Sequence, residues 1–116
     1  MSRSDTAGSF RFRVSDAIAV PLRGYLLRLR LLDGRPSMKD LRPGCSLLLR
    51  APDGTERVVR IQDYAVTGGR ATQERLERTR ELDVVISEAD ALAGGRPVEI
   101  GWLALGPVKG ANDRAA

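Results

Sequence analysis

Histidine is missing from this chain of 116 residues, cysteine occurs once, and aromatic residues make up only 4%. Without imidazole there is no Ser-His-Asp triad, no Cys-His pair and no neutral-pH general base of the usual kind. Metal binding would fall to carboxylates alone. Asp63, Asp83, Glu88 and Asp90 are spread over strands and turns without ligand spacing. The chain is therefore expected to be non-enzymatic, with no cofactor and no metal. The lone cysteine, Cys45, cannot form an internal disulfide and carries no sign of an oxidising compartment. At the head of an apolar stretch it reads as a small buried residue.

Long apolar runs are missing too. None reaches the roughly 18 residues of a membrane span, and "MSRSDTAGS" lacks the apolar core of a secretory signal. The expectation is a cytoplasmic protein without membrane contact. Loose tails are expected over 1–9 and 107–116, with one domain over 10–106. Lysine occurs only at positions 39 and 109, so arginine carries nearly all the positive charge. The net charge of +4 is uneven. Residues 1–50 hold ten Lys/Arg against four Asp/Glu, and the remainder is slightly acidic. Genomic base composition would produce the same preference for arginine without any functional cause.

What is present is alternation. In "SFRFRVSDA" Phe10, Phe12 and Val14 share one face, and Arg11 and Arg13 the other, the period of a half-buried strand. Pro21 and Gly24 then mark a turn or bulge. "YLLRLRLLDG" resumes with Leu27, Leu29 and Leu31 inward and Arg28 and Arg30 outward, and Asp33-Gly34 signals a hairpin or another turn. After the polar connection "RPSMKDLRPG", Leu41 is placed to plug a barrel end. "CSLLLR" follows, with Cys45, Leu47 and Leu49 inward and Ser46 and Arg50 outward. "APDG" is a hairpin turn and "TERVVRIQDYAV" the return strand. Residues 67–81 read as a long surface loop with one or two helical turns, "LDVVIS" as a strand and "EADALAGG" as a helical turn or loop. "PVEIGWLAL" reads as the closing strand, with Val98, Ile100 and Trp102 on one face and Trp102 as a core plug. The expected fold is all-β: a closed or nearly closed antiparallel barrel of six to seven strands with one long loop or short helix.

These residues resemble a family. The order "FRFRVSDAIAVPLRGYLLRLRLLDGRPSMKDLRPGCSLLLRAPDG" looks like the second, β-barrel domain of translational GTPases such as elongation factor Tu. In that family an alternating strand ends in an aspartate, and an Arg-Gly turn follows. Next come a strand, a turn glycine, Leu-x-x-Gly and another strand. Here Val14 and Asp16, Arg23-Gly24, Gly34, and Leu41 with Gly44 stand at those places. In "LDVVISEADALAGGRPVEIG" Gly95 stands where the family places a glycine before its final strand. The likeness spans about residues 10 to 105. It departs at Pro21-Leu22, where the family has a glycine before Arg-Gly. No G-x-x-x-x-G-K-[ST] occurs either, so there is no phosphate-cradling loop; "GGRATQER" reads as a plain loop. The resemblance implies a docking domain that contacts RNA or protein and catalyses nothing. Its matched residues are turn makers, so it implies no functional site.

Two groups of side chains are candidate binding residues. If the first two strands pair antiparallel, Arg11, Arg13, Arg28 and Arg30 project on one outer face and could hold phosphates. The alternative is that acids nearby neutralise them as an ordinary polar surface. Leu26, Leu32, Leu48 and Val58 fall on the face that alternation assigns to solvent. They either lie under the 67–81 loop or bind a partner or a second copy. The expected partner is thus a protein or RNA, with a homo-oligomeric structural or small-ligand-binding barrel as the alternative.

Overall fold

The computed structural model of the chain describes residues 9–65 and 71–108. Six strands carry the fold: β1 (Phe10–Val20), β2 (Gly24–Gly34), β3 (Ser46–Arg50), β4 (Glu56–Tyr64), β5 (Glu81–Ile86) and β6 (Leu103–Gly106). They pair in the order β1-β2-β5-β4-β3-β6, every neighbour antiparallel, and β6 returns to β1 to close the barrel. Two short helices interrupt the strands, α1 (Gln73–Thr79) and α2 (Glu88–Ala91).

The period-2 alternation decides which side chains fill the ring. Phe12, Val14, Leu27, Leu29, Leu47, Leu49, Ile61, Val84, Ile86 and Ala104 are fully buried, and Phe10 meets Phe12 edge to face. At about 25 cal/mol per Å² of apolar surface removed from water, these residues dominate folding. A bulge at Ser15, between the pairs Val14↔Leu29 and Asp16↔Arg28, bends the long β1–β2 ribbon. The β1–β2 connection is a tight turn in which the Arg23 N–H donates to the Val20 carbonyl. Gly24 follows at φ +114°, where an added Cβ would run into the Ile86 carbonyl of β5.

Each end of the ring is plugged. Leu41 and Leu76 of α1 are buried at the end where β1 begins. Thr72 accepts the Arg75 N–H as the N-cap of α1, Glu74 lies in the first turn, and Arg80 ends the helix at φ +60°. Trp102, Val98 and Ala91 close the opposite end.

Several expectations on local structure need correction. Cys45 is only half-buried, with its thiol donating to the Lys39 carbonyl at 3.5 Å, whereas Ser46 is buried. The strand begins after the Pro43-Gly44 turn, so Cys45 still belongs to the turn. Residues 97–102 are not strand, and Ile100 is exposed while Val98 and Trp102 are buried. The chain turns at Gly101, φ +101°, which breaks the alternation. Asp33-Gly34 makes no hairpin: Gly34 ends β2 opposite Phe10. The 67–81 segment supplies α1, and its residues 67–70 lie outside the described residues, as do most of the expected tails over 1–9 and 107–116.

Candidate docking face

Register places the four arginines of β1 and β2 on one outer surface. Arg13 stands opposite Arg30, Arg11 opposite Asp33, and Arg28 opposite Asp16. Three of them are committed to acids on neighbouring strands. Arg28 holds Asp83 with two bonds of 3.0 Å, Arg11 meets Asp33 at 2.7 Å, and Arg30 meets Glu81 at 3.4 Å. The fork on Asp83 raises the pKa of the Arg28 guanidinium. Cross-strand pairs of this kind neutralise the surface while adding little stability where exposed. Arg13 is exposed and forms no ion pair among the described residues.

The leucine–valine group does not gather into one patch. Leu48 and Val58 face each other across β3 and β4, and Leu48 also stands beside Leu105 of β6. Leu26 lies elsewhere, between Ile18 of β1 and Val85 of β5. Leu32 is the bulged residue of β2 between the pairs of Leu31 and Asp33. Nor does α1 cover the group: it turns Leu76 into the core, while Val58 is 50% and Leu32 41% exposed.

Following the register around the ring shows two neighbouring outer rows. One runs Asp33, Arg11, Leu105, Leu48, Val58 across β2, β1, β6, β3 and β4. The other runs Arg30, Arg13, Leu103, Arg50, Glu56 across the same strands. Arg50 pairs with Glu56 at 2.8 Å. An apolar strip of Leu105, Leu48 and Val58 thus lies beside a cationic strip centred on Arg13. Sequence reading could not place Leu103 and Leu105 here, because their neighbours come from two strands, β1 and β3, that are distant in the chain.

A second polar cluster closes one ring end. Arg57 lies on the inward parity of β4, with Val59 and Ile61. Its Nη1 donates to the carbonyls of Asp90 (3.0 Å) and Ala91 (2.8 Å), and its Nη2 to those of Ala93 (2.9 Å) and Arg96 (2.6 Å). The guanidinium lies 5.0 Å from the Trp102 ring centre, and that of Arg96 lies 5.3 Å away. Burial, and then the nearby Arg96 charge, lower the pKa of Arg57. Arg96 in turn binds Asp53 at 2.7 Å. The Thr55 N–H and then Arg96 hold the Asp53 carboxyl down at about 2. This cluster ties the segment after α2 to the sheet. An arginine at an inward strand position was the available signal for it.

Other features offer less chemistry. An open cleft of about 330 Å³ separates α1 from β2 and β5, with the paired Arg28 and Asp83 in its lining. Among the described residues no three His, Cys, Asp or Glu side chains cluster to hold a metal ion. No described helix is long and apolar enough to cross a membrane. The chain matches no known family model and no curated protein.

Proposed function

We propose that the chain is a non-enzymatic docking module whose outer face on β1, β6, β3 and β4 receives a protein partner. The reading extends the resemblance to the β-barrel domain of translational GTPases, which serves there as a docking domain. The observation that carries it is the Leu105–Leu48–Val58 strip lying beside Arg13 and Arg50. Such a pairing of apolar area with a cation suits a surface that offers apolar side chains flanked by a carboxylate. Protein is favoured over RNA because Arg11, Arg28 and Arg30 already hold acids, so little positive charge is left for phosphates.

A photo-crosslinking residue at Val58, used in extract of the native host, tests this. A discrete protein adduct that disappears with Leu48→Glu and with Arg13→Glu is the expected result. Adducts indifferent to both substitutions refute the docking face. Binding of RNA with a steep loss of affinity as salt rises would replace the protein partner by a nucleic acid.

A further inference from the structure

One hydroxyl in the fold is buried without a partner. Ser46 has the outward parity of β3, yet it is only 4% exposed, the one polar residue so buried among the described residues. Its Oγ makes no hydrogen bond among the described residues. A buried hydroxyl left unpaired costs free energy and calls for something to bind it. Ser46 lines an open cleft of about 420 Å³, together with Val58, Arg60 and Gln62 of β4, Asp90 of α2 and Ser87 just before that helix. Register sets Ser46 opposite Arg60, one step along the strands from the pair Leu48 and Val58. The cleft therefore adjoins the apolar strip, on the side away from Arg13 and Arg50.

Internal bonds use up the acceptors of the cleft but not its donors. Asp90 is its one acid. That carboxylate accepts the Arg60 backbone N–H at 2.9 Å, and its charge faces the Arg57 cation. Ser87 Oγ accepts the Asp90 N–H at 3.0 Å. By contrast, the Arg60 guanidinium is exposed and has no ion pair or hydrogen bond among the described residues. The Gln62 amide, on the bulge of β4, is likewise exposed and unbonded among them. One cation, one buried hydroxyl and one amide are left as donors around the same space.

We propose that this cleft seats the carboxylate of an acidic side chain, on the protein segment whose apolar side chains lie along Leu105, Leu48 and Val58. The inference rests on the docking reading of that strip and adds the chemistry of the partner. A carboxylate accepts from Arg60, the Ser46 hydroxyl and the Gln62 amide at once, and charge-assisted bonds of this kind are the strong ones. A side chain fits better than a chain terminus. The strip has a surplus cation on each side, Arg13 and Arg60, and a single terminal carboxylate could meet only one of them. A second copy would bring the same surplus cations, while the acids of this face, Glu56 and Asp33, are already held by Arg50 and Arg11.

The test is amide NMR of the full chain titrated with the capped peptide acetyl-Leu-Leu-Glu-amide, in parallel with its Gln counterpart. Saturable shifts at Ser46, Arg60 and Gln62 are expected at about 1 mM peptide, with the Gln peptide roughly tenfold weaker. Rising salt should weaken the Glu peptide more than the Gln peptide. Arg60→Gln, which leaves in place the backbone N–H held by Asp90, should remove the difference between the two peptides. Ser46→Ala should weaken the Glu peptide roughly three- to tenfold without lowering Tm, because the free protein loses only an unpaired group. Equal binding of the two peptides, no shifts at these residues, or a lower Tm for Ser46→Ala overturns the inference. Shifts confined to Leu105, Leu48 and Val58 overturn the cleft alone and leave the strip as a docking face. Inorganic phosphate binding the cleft as tightly as the Glu peptide would replace the carboxylate and also overturn it.

Discussion

Replacing Arg57 by alanine should be among the most damaging single changes available outside the apolar core. Four carbonyls, those of Asp90, Ala91, Ala93 and Arg96, share this one guanidinium at 2.6–3.0 Å. Each bond is worth roughly 0.5–1.5 kcal/mol net, and the sum is reduced because freed carbonyls near the surface regain water. The contact with Trp102 adds about 1 kcal/mol. The expected loss is about 3–4 kcal/mol, a large share of the roughly 5–15 kcal/mol typical of a domain. It corresponds to a fall in Tm of roughly 10–20 °C for a chain of this size. Trp102 is the only tryptophan and lies against Arg57, so its fluorescence reports unfolding from the site itself. Urea titration of the wild type, Arg57→Ala and Arg57→Lys measures the effect. Lysine, a point charge without the planar fork, should recover less than half of the loss. A loss below about 1 kcal/mol for alanine, or full recovery with lysine, would refute the clamp.

Three other outcomes are expected. Gly24→Ala should destabilise by roughly 3 kcal/mol or more, measured by the same titration, since φ +114° and the Ile86 carbonyl both oppose a Cβ. Leu22→Gly should raise the stability of the chain by roughly 0.5–1 kcal/mol, measured by the same titration, because it relieves φ +67° where the leucine buries nothing. Asp53 titrates at about 2 against an ordinary 3.8. A carboxyl depressed on folding stabilises above its unfolded pKa, and that contribution is lost as pH falls through about 2. Titration of its side-chain NMR signal checks the value, and Arg96→Ala should raise it only in part, because the Thr55 N–H is the larger cause.

By itself the sequence settled what depends on neighbours along the chain. Phe10, Phe12, Val14, Leu27, Leu29, Leu47 and Leu49 are buried as their alternation requires, because the pleat has a period of two wherever a strand forms. Pro21 to Gly24, and Asp53-Gly54, punctuate the chain as turns because their backbone preferences are local. Alternation failed at Cys45 and Ile100, where turns interrupt the strands, and it could not foresee the bulges at Ser15 and Leu32. The closing of the ring belongs to the tertiary structure alone. Pairing β2 with β5, and β6 with both β1 and β3, joins residues dozens of positions apart, and no local preference specifies such partners. That closure decided which arginines found acids, set Leu105 beside Leu48, drew Arg57 onto four carbonyls and left the last residues of β1 paired with β2 alone among the described residues. Each strand carries its own inside and outside in its sequence, but its neighbours are chosen only when the whole sheet closes around one core.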